Sequence, residues 1–135
     1  VIGTIQYGSN DNELTVTLDN DTLPANTETA IIGIINPTLS YPDDGTLAAA
    51  ATGQRYLITD TVPIGGAWGT IGNGNKNDII EYNGSSWVVS LDTSVTSDTK
   101  YVVNTTTSVQ LEWTGSEWIN SYEGTFNAGF WRIFL

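Results

Sequence analysis

The length, charge and missing residue types of this chain exclude several classes of protein. The chain has 135 residues and a formal net charge of −11, and it contains no histidine, cysteine or methionine. A Ser-His-Asp or Cys-His catalytic site, a zinc site with histidine or cysteine ligands and a disulfide are therefore excluded. Only four residues are basic, too few for the phosphate contacts of duplex DNA binding, so we expect no nucleic-acid partner.

The first residues and the apolar runs bear on processing and on membranes. The chain starts at Val1 and has no methionine, so we expect a processed product or a part of a longer protein. The longest apolar run, residues 30–35, is far too short to cross a bilayer. We therefore expect no membrane partner.

The N-terminal third of the chain predicts strands and turns. Glu13–Leu18 (ELTVTL) alternates polar and apolar residues, which is typical of a half-buried strand. Ala30–Ile35 is a β-branched run that predicts a buried strand, and it ends before Pro37 because proline cannot donate to a strand ladder. Residues 36–45 contain two prolines and an Asp-Asp-Gly turn and form the best candidate for a linker.

This linker and the charge distribution together predict a boundary. Residues 1–54 carry seven acidic residues and no basic residue. We expect residues 1–42 to form an N-terminal β-forming arm or small subdomain, which adds a strand to a neighbour's sheet or completes the chain's own sheet. Residues 43–135 are expected to form a compact β domain. Its first element is expected to be one short helix over residues 43–52, followed by strands and turns from Arg55 onward.

A weak internal repeat lies in the second half of the chain. Glu81–Val88 (EYNGSSWV) matches Glu112–Ile119 (EWTGSEWI) at an offset of 31. Each copy has a central glycine, which favours a hairpin turn with positive φ. Upstream, Arg55–Thr59 (RYLIT) matches Lys100–Asn104 (KYVVN). The predicted unit is a strand followed by a hairpin, used twice, and two such units build a small antiparallel barrel or sandwich.

Aromatic side chains are the candidates for contact with a ligand or a partner. Two interpretations stay open for them. They pack across the hairpins and pin the glycine-rich loop 62–77, or they form an exposed row that stacks on sugar rings. The candidate residues are Trp68, Trp87, Trp118, Tyr82 and Trp113.

Carboxylates are the remaining ionisable groups suited to catalysis or to metal binding. Glu81, Glu112 and Glu123 could supply a glycosidase-type pair, but repeat-equivalent glutamates are explained more simply by pairing with Arg55 or Lys100 across strands. Calcium could bind at Asp11, Asp19 and Asp21 or within residues 73–78, although neither stretch has the spacing of a known calcium loop. We therefore predict no catalytic residue, no metal and no cofactor.

Several blocks of residues in order resemble a known family. They are Gly53–Ile58 (GQRYLI), Gly66–Gly69 (GAWG), Asn77–Trp87 (NDIIEYNGSSW) and Tyr122–Arg132 (YEGTFNAGFWR). Together they resemble a segment of structural proteins of tailed bacteriophages, in particular virion proteins of T4-like myophages. The resemblance covers about residues 43–135 and implies a non-enzymatic component of the neck, tail or baseplate, assembled in the bacterial host cytoplasm. The partners it implies are other virion subunits or further copies of this chain.

A second similarity supplies the alternative hypothesis. Glu81–Trp87 and Glu112–Trp118 are similar to the hairpin of chitin- or cellulose-binding modules, which use exposed aromatic residues. This similarity implies a carbohydrate- or receptor-binding β module with a glycan partner. It predicts that Trp68, Trp87 or Trp118 is exposed to solvent in a flat row.

Overall fold

The protein, seen here as a computed structural model that describes residues 3–7, 14–18, 23–71, 74–121 and 129–132, is all-β. This confirms the predicted fold class. Within these ranges one turn of 3₁₀ helix lies at Gly66–Trp68. The strands are β1 (Gly3–Tyr7), β2 (Leu14–Leu18), β3 (Gly33–Ile35), β4 (Arg55–Ile58), β5 (Ile79–Tyr82), β6 (Trp87–Leu91), β7 (Lys100–Asn104), β8 (Val109–Trp113), β9 (Trp118–Ser121) and β10 (Gly129–Arg132).

The chain divides into two compact units, and both of its ends belong to the first. Unit one consists of Val1–Thr27 and Tyr122–Leu135. Its sheet has the order β1-β2-β10 and is antiparallel throughout, with β2 in the centre. β2 coincides with the strand that the ELTVTL alternation predicts. Unit two, Glu28–Ser121, is therefore inserted in sequence between β2 and β10.

Unit two is built from two strand meanders. In one, β4, β5 and β6 pair antiparallel in sequence order, and in the other β7, β8 and β9 do the same. The two meanders correspond to the two predicted repeat units. Among the described residues no closed barrel forms, so the sandwich alternative describes this unit.

A single segment, residues 28–35, pairs with both meanders. Its first half runs beside β7, where Ile31 N–H donates to Val103 C=O at 2.9 Å and Ile31 bridges Asn104 in parallel. Its second half is β3, which pairs parallel with β4. The Ala30–Ile35 run is thus extended, as predicted, but it is shared between two sheets. It is not a fully buried strand, because Ile31 and Ile35 are buried whereas Ile32 and Ile34 are 37% and 46% exposed.

The two sheets of unit two bury a common apolar cluster between them. Leu57 and Ile79 come from one sheet, Val102 and Leu111 from the other, and Ile31 from the shared segment. The opposite face of the β3–β6 sheet carries a second cluster, which is covered by the glycine-rich loop and by residues 41–50. Both clusters include side chains of β4 and β5, so these two strands are covered on both faces.

The expected boundary between residues 42 and 43 does not coincide with the division of the chain. Residues 28–42 belong to the same unit as β4–β9, because Thr59 N–H donates to Ile35 C=O at 2.9 Å and β3 extends the sheet of β4. The linker composition of residues 36–45 instead marks a turn-rich loop inside unit two.

The expected helix over residues 43–52 is absent from this described stretch, which contains turns and bends. The side chain of Asp44 accepts hydrogen bonds from the N–H and the hydroxyl of Thr46, and Asp43 and Gly45 have φ of 64° and 92°. A residue with positive φ cannot continue a right-handed helix. The alanine-rich part that follows, residues 48–51, has no regular secondary structure, and Ala50 packs against the second apolar cluster.

Candidate functional site

The aromatic residues singled out in the sequence lie largely inside unit two. Trp68 is 1% exposed, and its indole Nε1–H donates to Pro37 C=O at 2.9 Å. The one-turn 3₁₀ helix that carries it lies between Gly65 and Gly69, whose φ values are 87° and 65°. These glycines allow the sharp reversals that insert the indole under the sheet. Trp68 thus pins the loop, which is the first of the two interpretations.

Trp87 forms the centre of an aromatic cluster. Its ring lies 5.1 Å from Trp68 edge-on, 5.4 Å from Tyr82 and 5.7 Å from Tyr56 between ring centroids. Such separations favour aromatic packing beyond simple burial. Tyr82 and Trp87 are the cross-strand pair that closes the first hairpin. Burial of Tyr56 in this cluster raises the pKa of its phenol above the usual 10.0.

The second repeat uses its tryptophans in the same way. Trp113 and Trp118 close the second hairpin with ring centroids 5.6 Å apart. The indole of Trp113 donates to Thr96 C=O and that of Trp118 to Asn77 C=O, each at 2.8 Å. Trp68, Trp87 and Trp113 are buried and Trp118 is partly buried, so the flat exposed row that the glycan hypothesis requires is not formed by these residues.

Glu81 and Glu112, the equivalent glutamates, have different surroundings. Glu81 pairs with Arg55 across β4 and β5, with 2.7 Å between Oε2 and Nη1. Glu112 instead faces Tyr101, because the β7–β8 register is shifted by one residue relative to the repeat. Lys100 is engaged by Glu28 at 3.1 Å. The predicted pairing is therefore confirmed for Glu81, and Glu123 lies outside the described residues.

Oxygen atoms in the proposed calcium loop are committed to hydrogen bonds. Asp78 is fully buried; its Oδ1 accepts from the N–H and hydroxyl of Thr93, and its Oδ2 accepts from Asn75 N–H, each at 2.8 Å. Asp11, Asp19 and Asp21 lie outside the described residues. In the part of the chain that the structure describes, no group of three acidic side chains is arranged to hold a metal ion.

The surface feature that the sequence reasoning missed is a pair of equivalent aliphatic residues on edge strands. Val88 lies on β6 and is 37% exposed, and Ile119 lies on β9 and is 41% exposed. Each faces its repeat's glutamate, Val88 across from Glu81 and Ile119 across from Glu112. The sequence does carry a signal for these two residues, because each occupies the aliphatic position directly after the tryptophan of its repeat. Strand alternation places this position on the face opposite to that of the packed indole.

Backbone geometry makes the two edges alike. Asn83 N–H donates to Ser86 C=O and Thr114 N–H donates to Glu117 C=O, each at 3.0 Å. Both loops therefore close in the same way and deliver β6 and β9 as the last strands of their sheets. An edge strand presents unpaired backbone groups on which another strand can add. These two edges, with Val88 and Ile119, form the candidate site of the molecule.

None of the described helical segments is long and apolar enough to span a membrane. Comparisons of the chain with protein-family models, with curated proteins and with solved structures found no match.

Proposed function

We propose that this protein is a non-enzymatic structural component of a tailed-phage virion, in the neck, tail or baseplate, and that it acts through protein–protein contacts. The observation that carries the proposal is the repeated edge: Val88 and Ile119 are exposed at equivalent positions of the two terminal strands. Exposed aliphatic residues on unpaired edges favour association with another chain. The resemblance of four ordered sequence blocks to segments of phage virion proteins suggests this kind of assembly.

The charge of the chain supports a protein partner with a basic surface. The net charge is −11, and Arg55 and Lys100, two of the four basic residues, are already engaged by glutamates of the chain. An acidic surface of this kind repels acidic partners and steers basic ones. In a particle built from many subunits, this charge would orient the edge strands toward basic neighbours.

Two carboxylates that the sequence offers for catalysis or calcium binding have structural partners. Glu81, of the glycosidase-type set, is held by a guanidinium, and both oxygens of Asp78, of the calcium stretch, accept hydrogen bonds from its own unit. The aromatic residues that could have stacked on sugars pack in the interior or donate their indole N–H groups to backbone carbonyls. These contacts indicate that the two carboxylates and the tryptophans stabilise unit two.

Particle composition tests this proposal. Particles would be purified by density-gradient centrifugation from a host strain carrying the gene, and the protein would be quantified by mass spectrometry. We expect a constant ratio to the major head and tail proteins. A Val88→Lys/Ile119→Lys variant should be lost from particles, whereas Val95→Lys, at a 79% exposed valine outside the strands, should be retained. Recovery of the unaltered protein only in the soluble fraction would reject the proposal.

A further inference from the structure

The β9 edge has backbone groups that are free to bind an added strand. β9 pairs with β8 on one side and, among the described residues, has no strand on the other. The hydrogen bond from Thr114 N–H to Glu117 C=O sets the alternation of the ladder. It directs the backbone groups of Ile119 toward β8 and those of Trp118 and Asn120 outward. The outward groups are the ones that an added strand would bind.

Glu112 supplies an unpaired charge beside this edge. It lies across from Ile119, is half-buried, and has neither an ion pair nor a hydrogen bond within the described part of the chain. In the first repeat the equivalent position, Glu81, is neutralised by Arg55. The shifted register places Tyr101 where the second repeat would need its cation.

A second polar group on the same face of β8 also lacks a partner. Gln110 precedes Glu112 by two residues, so strand alternation places both on one face. Gln110 is 9% exposed, and its Nε2 is buried without an acceptor in the part of the chain that the structure describes. Buried donors are normally bonded, so Gln110 is a second polar group of this face that the described residues leave unsatisfied.

We propose that the β9 edge binds an extended segment of a partner protein that carries an arginine or lysine two residues from an aliphatic residue, so that both side chains lie on one face. The backbone of the segment adds to Trp118 and Asn120, its aliphatic side chain packs on Ile119, and its cation pairs with Glu112. This inference rests on the proposed function, because it names the partner of one of the two edges. The β6 edge, where Arg55 already neutralises Glu81, has no such charge preference.

Synthetic peptides test the charge preference directly. The probe is a blocked octapeptide of alternating threonine and valine in which one central valine is replaced by arginine, so that the arginine and the remaining valines share a face. It is titrated into the full chain to millimolar concentration and followed by amide NMR. Matched peptides replace the arginine with citrulline or with glutamate. We expect the arginine peptide to shift the amides of Trp118 and Asn120 and to bind about tenfold more tightly than the citrulline peptide, with the glutamate peptide weaker still.

Variants of the protein separate the parts of the proposed site. Glu112→Gln should abolish the preference for arginine over citrulline. Asn120→Pro removes one outward N–H without breaking the β8 ladder and should abolish binding. Ile119→Lys should also abolish binding. Val95→Lys, at a 79% exposed valine outside the strands, is the control and should leave binding unchanged. Far-ultraviolet circular dichroism would show that each variant is folded.

Three results would overturn the inference. They are equal affinity for the arginine and glutamate peptides, amide shifts at β6 instead of β9, and self-association of the chain through β9 in the absence of peptide. Absence of binding by every peptide, together with retention of the protein in purified particles, would reject this edge as the partner site while leaving the proposed function standing. Peptide binding by a protein that is missing from particles would support this edge as the partner site and reject the proposed function.

Discussion

Arg55 and Glu81 form a close ion pair, with 2.7 Å between Nη1 and Oε2, in a position where the guanidinium is almost fully buried. Nε and Nη2 of Arg55 have no hydrogen-bond partner among the described residues. The buried cation therefore depends on a single carboxylate, and the repeat-equivalent Glu112 has no such role.

This relationship predicts that the two equivalent glutamates differ in their effect on stability. Glu81→Gln should lower the free energy of unfolding by about 1–2 kcal/mol. The buried guanidinium loses the one charged partner that the described residues give it, but the loss is moderated because Glu81 is partly exposed. Glu112→Gln, at the same repeat position, should change it by less than about 0.5 kcal/mol. Urea denaturation of both variants measures the difference, and equal destabilisation would contradict it.

The hairpin glycines predict a second difference between the repeats. Gly84 and Gly115 have φ of 99° and 97°, so an alanine at either position is strained by about 1–2 kcal/mol. A Cβ at Gly84 would approach the Thr52 hydroxyl at 2.8 Å, whereas one at Gly115 would approach the backbone carbonyl oxygen of Ser97 at 2.8 Å. A side chain can rotate away but a backbone carbonyl cannot do so easily.

We therefore expect Gly115→Ala to destabilise the protein by roughly 1 kcal/mol more than Gly84→Ala. Thermal denaturation followed by circular dichroism compares the two variants. Gly45→Ala provides the control for φ alone, since a Cβ there meets nothing within 4 Å. The prediction fails if Gly84→Ala is the more harmful of the two.

The sequence alone predicts local features of this fold better than non-local ones. The alternation in ELTVTL identifies β2, and the repeated turn glycines identify both hairpins, because these signals depend on adjacent residues. Residues 28–42 belong to unit two because β3 pairs with β4, about twenty residues further along the chain. No local sequence pattern indicates this pairing. The helix expected over residues 43–52 fails because Asp44 binds Thr46 locally and so favours a turn.

The candidate site shows the same division between local and non-local information. The repeat identifies Trp87, Trp118 and their neighbours, but burial is decided by what packs on them. Trp68 lies in a glycine-rich loop that looks exposed, yet it reaches Pro37, 31 residues away in the chain. The single-residue shift in the β7–β8 register, which leaves Glu112 unpaired, cannot be read from residue types because both registers place a polar residue across from the glutamate.

Trp68 is expected to hold the glycine-rich loop against the sheet. Trp68→Phe leaves the buried carbonyl of Pro37 without its donor and should cost about 1–3 kcal/mol. Trp68→Ala should cost about 3–5 kcal/mol because it also leaves a cavity. Ile64→Ala, in the same loop at a residue that is 93% exposed, is the control and should have little effect. Guanidinium denaturation gives these values, and a neutral Trp68→Phe would contradict the assigned role of the indole.

Asp78 is expected to be sensitive to loss of its second carboxylate oxygen. In Asp78→Asn, the side-chain NH₂ must face either Asn75 N–H or Thr93 N–H, neither of which can accept a hydrogen bond, although the Thr93 hydroxyl can turn to do so. The result should be a loss of about 1–3 kcal/mol in the free energy of unfolding. Asp60→Asn is the matched control, because Asp60 is exposed and, within the described ranges, accepts a hydrogen bond only from Thr61 N–H. Similar unfolding midpoints for the two variants would show that the buried carboxylate is dispensable.

Tyr56 predicts a loss of stability at alkaline pH. Burial raises the pKa of its phenol above 10.0, so the folded state holds the phenolic proton more tightly than the unfolded chain does. The stabilisation that this difference provides is complete below pH 10.0 and declines as the pH rises from there through the raised pKa of the folded state. Tyr56→Phe removes the ionisable group but keeps the ring. We expect urea midpoints between about pH 9 and 12 to fall more steeply for the unaltered protein than for Tyr56→Phe, and parallel curves would exclude Tyr56 as the cause.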